Sequence, residues 1–71
     1  MQELFQNALS SSPIGDLGVR TCATVCLTTG SVTLEGVMSS YYGKQIAQEV
    51  CLPLAKEHGL KLVNNILVEK P

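Results

Sequence analysis

Between Val19 and Thr28 apolar and polar positions alternate strictly along "VRTCATVCLT". A period of two with β-branched content predicts a strand. Val19, Ala23, Val25 and Leu27 would share one face, and Cys22, Thr24, Cys26 and Thr28 the other. Thr29-Gly30 then reads as a tight turn, with Gly30 free to take positive φ. The alternation resumes at once, with Val32, Leu34 and Met38 directed one way and Thr33, Glu35 and Val37 the other. Gly36 falls on the inward face, where a missing side chain predicts a bulge or the close approach of a helix backbone. Together these segments predict a β-hairpin.

Helical spacing flanks the hairpin. In "ELFQNAL", Leu4, Phe5, Ala8 and Leu9 lie on one side of a short amphipathic helix. "SSSPIGDLG" ends it as a loop, since Pro13 disfavours a helical Ser12, and Ile14 and Leu17 are expected to drop into the core. After the hairpin, Ser39 or Ser40 can cap a second helix by accepting from a free backbone N–H. Its buried stripe would be Tyr42, Ile46, Val50 and Leu54 with Ala47 beside it, opposite Tyr41, Lys44, Gln48, Leu52 and Ala55. Pro53 is expected to kink or interrupt this helix. "AKEHG" would add a further turn that ends at Gly59. "LKLVNNILVEK" returns to strand, with Leu62, Asn64, Ile66 and Val68 on one face and Val63, Asn65 and Leu67 on the other.

The order α-β-β-α-β over residues 1–71 predicts a single α+β domain. It consists of a three-stranded mixed or antiparallel sheet with two helices packed on one face. A right-handed crossover would set the third strand parallel to the second, and an antiparallel place beside the first stays open.

Three stretches in this order, "GSVTLEG", "S-x-x-x-K-x-x-A-Q-E-V" and "VNNILV", resemble the BON domain, a module named after bacterial osmotic-shock and nodulation proteins. Gly30, Val32, Thr33, Leu34, Gly36, Lys44, Ala47, Asn64 and Val68 take the places of the family pattern, and the resemblance spans nearly the whole chain. The chain departs from the pattern in the longer "CLPLAKEHGLK" before the last strand, which lacks the usual Gly-Val. The resemblance implies a non-catalytic module that binds phospholipid or bridges membrane and protein partners, in a periplasmic or membrane-attached setting.

Composition narrows the function classes. The 71 residues are 45% hydrophobic with a formal net charge of −1, which argues against a disordered tail. Arg20, Lys44, Lys56, Lys61 and Lys70 are scattered, so the basic stripe that nucleic-acid binding requires is missing. No apolar run approaches the roughly 20 residues of a membrane span, and "MQELFQNALSSSP" does not read as a signal peptide. The expected location is cytoplasmic if Met1 is the native start, and periplasmic or membrane-associated if the chain is trimmed from a longer one.

Candidate chemistry is sparse. Three cysteines without CxxC spacing point to reduced thiols. Cys22 and Cys26, four residues apart on a strand, would stand about 13 Å apart, too far for a disulfide or a shared metal. Cys51 and the single histidine, His58, read as structural, so no catalytic, metal or cofactor residues are expected. Tyr41, Lys44, Gln48 and Leu52 form a mixed aromatic and basic stripe suited to lipid headgroups or a protein surface. Cys22, Thr24, Cys26, Val37, Val63 and Leu67 form a sheet face with little charge, a candidate for self-association into a homo-oligomer. Asn64-Asn65 reads as a bulge or a satisfied edge position. The expected partners are a phospholipid surface, by resemblance, or protein, and not nucleic acid.

Overall fold

The computed structural model describes residues 1–14 and 16–69. The expected loop at Gly15 and the expected strand end at Lys70 lie outside the described residues. The fold is α+β, with an open mixed sheet and both longer helices packed on one of its faces. The hairpin consists of β1 (Thr21–Cys26) and β2 (Ser31–Met38), paired antiparallel with Thr24 opposite Thr33. Gly30 takes φ of 66° in the connecting turn. β2 is central. On its other side β3 (Lys61–Asn64) and β4 (Leu67–Val68) run parallel to it, which settles the position that the sequence left open.

The last strand is thus two pieces in one register, since Ser31 faces Lys61 and Val37 faces Leu67. Asn64 marks the break. Its side-chain Oδ1 accepts from the Ile66 N–H at 3.2 Å, a local bond that competes with the ladder. Ile66 still points inward and is buried, so the interruption keeps the alternation of faces.

The amino-terminal helix α1 (Gln2–Ser10) buries Phe5 and Leu9, while Leu4 of the expected face stays exposed. The expected strand start at Val19 is replaced by a single turn, α2 (Leu17–Arg20). Val19 is consequently 88% exposed and does not join the inward face. Leu17 does reach the core, and its carbonyl accepts from the buried Thr21 hydroxyl at 2.5 Å. Leu27, at the far end of the same alternation, falls in the turn and is also exposed. Gly36 answers a backbone rather than a helix. It holds φ of 141°, and a Cβ there would fall on the Arg20 carbonyl oxygen. The α2–β1 junction can therefore press directly on β2.

The long helix α3 (Tyr41–Glu57) begins as expected, with Ser40 Oγ accepting from the Gly43 N–H at 3.2 Å. Its buried face is rotated from the expected one. Gly43, Ala47, Cys51 and Ala55 form the buried line, flanked by the half-buried Ile46, Val50 and Leu54, while Tyr42 is 60% exposed. Small residues let the helix axis approach the sheet, and the larger flanking chains fill the spaces beside it. Pro53 does not interrupt the helix. It stands on the exposed side next to solvent, where water can take the Glu49 carbonyl that a proline leaves without a donor.

Gly59 closes α3 at φ of 69°. Its N–H donates to the Lys56 carbonyl at 3.2 Å, and the Leu60 N–H donates to the Ala55 carbonyl at 2.8 Å. That pair of bonds is the left-handed glycine cap, with Leu60 packed back on the core. The core lies between the helices and the inward sheet face, with Phe5, Leu9, Leu17, Val32, Leu34 and Ile66 fully buried. Each such side chain contributes about 1.5–3 kcal/mol of transfer free energy, so this small core is sensitive to single truncations.

Candidate functional site

The amino-terminal end of α3 gathers most of the helix residues singled out from the sequence. The Ser40 cap fixes the start of the helix and sets Tyr41 and Tyr42 on its first turn. Two turns of helix then bring Tyr41, Lys44 and Gln48 to one side, where with Gln45, Glu49 and Asn64 they line a shallow depression of about 380 Å³. Leu52, the fourth residue of the expected stripe, is half-buried one turn beyond Gln48 and does not line it.

Asn64 forms the sheet side of this depression and holds it in place. Its Nδ2 donates to the Lys44 carbonyl at 3.0 Å and to Gln48 Oε1 at 3.4 Å. Gln45 Nε2 reaches Glu49 Oε1 at 3.4 Å along the helix. The lining is amide-rich, with one cation and one anion, and can take hydrogen bonds and a weak charge contact.

Around the same end stand most of the exposed large apolar side chains. Val37 and Leu67 are paired neighbours on the outward face, 37% and 62% exposed. Met38, Ser39 and Ser40 lead from Val37 directly to Tyr41, which is 68% exposed. Val19 lies two residues before Thr21, whose partner across the hairpin is Gly36. Val19, Val37, Tyr41, Tyr42 and Leu67 therefore share the end of the sheet where β2 and β4 finish and β1 begins. Among the described residues they are five of the eight exposed large hydrophobics. Arg20 is at this end too, in an exposed ion pair with Asp16 at 3.7 Å.

The outward sheet face carries Cys22, Thr24 and Cys26 exposed and Val63 half-buried. The register adds neighbours that dilute its apolar character. Glu35 lies between Cys22 and the end of β3, Thr33 lies between Thr24 and Val63, and Ser31 lies between Cys26 and Lys61. Its apolar part is concentrated at the Val37–Leu67 pair. No described helix covers this face.

The thiols and the histidine stay apart. Cys51 lies on the buried face of α3, and His58 caps the carboxyl end of the same helix, about 10 Å further along the axis. Burial pushes the Cys51 thiol up to about 11. Cys26 is exposed, and the Thr29 hydroxyl and the Thr29 and Thr28 backbone lower its thiol pKa by hydrogen bonding. Among the described residues no group of three or more His, Cys, Asp or Glu side chains could hold a metal ion. No described helix is long and apolar enough to cross a membrane.

The tyrosine–lysine stripe was legible from helical spacing. The apolar end was not, because it depends on the strand register and on the extra turn that exposes Val19. Comparison with protein-family models, curated proteins and solved structures finds no match for this chain.

Proposed function

We propose that this chain is a small non-enzymatic binding module of BON type that docks on phospholipid surfaces through the amino-terminal end of α3. The observation that carries this reading is the concentration of exposed apolar side chains at that end, with Tyr41 and Tyr42 at its rim. Tyrosine suits the headgroup layer because its ring is apolar and its tip polar. Lys44, one turn along, can meet a phosphate. Five side chains gaining about 1 kcal/mol each on partial insertion give roughly 5 kcal/mol, an affinity in the sub-millimolar range. With a net charge of −1 the attraction is chiefly apolar, so neutral lipid suffices and salt has little effect.

Flotation of the reduced protein with neutral and anionic liposomes, at low and high salt, tests this. Co-flotation with both is expected, together with at least a several-fold loss in Tyr41→Ser/Tyr42→Ser and a smaller loss, on anionic vesicles only, in Lys44→Gln. Protein that stays at the bottom of the gradient with every vesicle composition excludes the lipid role.

A second reading follows from the uncovered outward sheet face. There Cys22, Thr24, Cys26, Val37, Val63 and Leu67 would meet the same face of a second copy and form a homo-oligomer. Static light scattering separates the two. Concentration-dependent mass without flotation favours self-association.

A further inference from the structure

The free edge of β1 is occupied by side chains of α1. Backbone groups along a strand alternate between its two neighbours, so Thr21, Ala23 and Val25 present theirs away from β2. Gln2 Oε1 accepts from the Val25 N–H at 3.2 Å, and Gln6 Oε1 accepts from the Ala23 N–H at 3.4 Å. Gln6 Nε2 meanwhile donates to the Thr21 carbonyl at 3.3 Å and to the Gly18 carbonyl at 2.9 Å. The spacing makes this possible. Four residues of helix rise about 6 Å, and two residues of strand about 6.8 Å, so glutamines one turn apart meet alternate amides of the strand.

We infer that Gln2 and Gln6 seal the edge of β1 and keep two copies of this chain from pairing through it. The occupant the seal excludes is a second β1. "TCATVC" contains no charge, proline or glycine, the composition of a strand that can pair with itself. Antiparallel pairing about Ala23 would set Thr21 opposite Val25 and Cys22 opposite Thr24 of the other copy, with no like charges facing. The other edge of the sheet needs no such guard. β3 is four residues long, carries the exposed Lys61 and breaks after Asn64, and each of these features blunts strand addition.

The test uses the full chain under reducing conditions, with Gln2→Ala/Gln6→Ala as the variant, since alanine keeps α1 helical. Amide hydrogen exchange is followed at Ala23 and Val25, with light scattering, from micromolar to millimolar protein. At low concentration the two amides are expected to exchange at least tenfold faster than in the parent chain. At high concentration they regain protection as the mass of the variant rises above that of the parent. The single variants keep the result decisive if the double variant unfolds. Gln2→Ala should lose protection at Val25 alone, and Gln2→Glu, which retains an acceptor oxygen, should keep it. Unchanged exchange at Val25 in Gln2→Ala, or a folded double variant with the mass of the parent at every concentration, overturns the inference.

Discussion

Cys22, Cys26 and Cys51 share a side-chain chemistry but not an environment, and their reactivity should divide accordingly. The Thr29 hydroxyl and neighbouring backbone groups favour the Cys26 thiolate, whereas the core around Cys51 disfavours any charge. At pH 8, alkylation followed by mass spectrometry is expected to label Cys26 early and Cys51 only on unfolding. Equal rates at the two sites would contradict the buried position of Cys51. Stability carries the same signature. An unfolded thiol releases its proton near 9, whereas the folded one holds it to about 11. Below 9 both states are protonated and the stability is fully present. As pH rises from 9 through 11 it falls, at about 1.4 kcal/mol per pH unit from this group. Cys51→Ala should remove that part of the slope in urea titrations.

At the scale of elements, Asn64 joins the sheet to α3. It interrupts the last strand, accepts from Ile66 and donates to the Lys44 carbonyl. Asn64→Asp keeps the acceptor but sets an anionic oxygen against a carbonyl, so a loss of about 1–3 kcal/mol is expected. A lower urea midpoint at unchanged slope would show it, and an unchanged midpoint would mean that the bond contributes nothing. The hairpin around Gly30 was legible because period-two alternation is a local signal, and the Ser40 cap and the Gly59 stop were legible for the same reason. The last strand was expected to run unbroken through Asn64-Asn65, read as a bulge or a satisfied edge position. Asn64 is satisfied, but the strand breaks there without an inserted residue. Other features depend on tertiary packing. The alternation through Val19 continued into a turn of helix because the backbone of Arg20 and Thr21 has to close on Gly36. The face of α3 was misjudged by favouring bulk. Tyr42, Ile46, Val50 and Leu54 are the larger residues, but the line of closest approach takes Gly43, Ala47, Cys51 and Ala55. Tyr42 was released to the surface by that rotation, which added it to the candidate site.

The whole molecule is elongated, 37 × 20 × 16 Å, and its apolar surface is unevenly distributed along it. One end carries Val19, Val37, Tyr41, Tyr42 and Leu67, while the outward sheet face between the ends is largely Thr, Ser, Cys and scattered charge. One sheet edge is sealed by glutamines and the other is short and broken. The proposed docking is therefore end-on rather than by extension of the sheet. The chain contains two tyrosines and no tryptophan, so its intrinsic fluorescence comes from Tyr41 and Tyr42 alone. Titration with vesicles of brominated phosphatidylcholine, which quench only within contact range, therefore reports directly on this end. Saturable quenching of tyrosine emission, with unbrominated vesicles producing none, is the expected result. Emission that does not change up to millimolar brominated lipid would contradict docking through the apolar end.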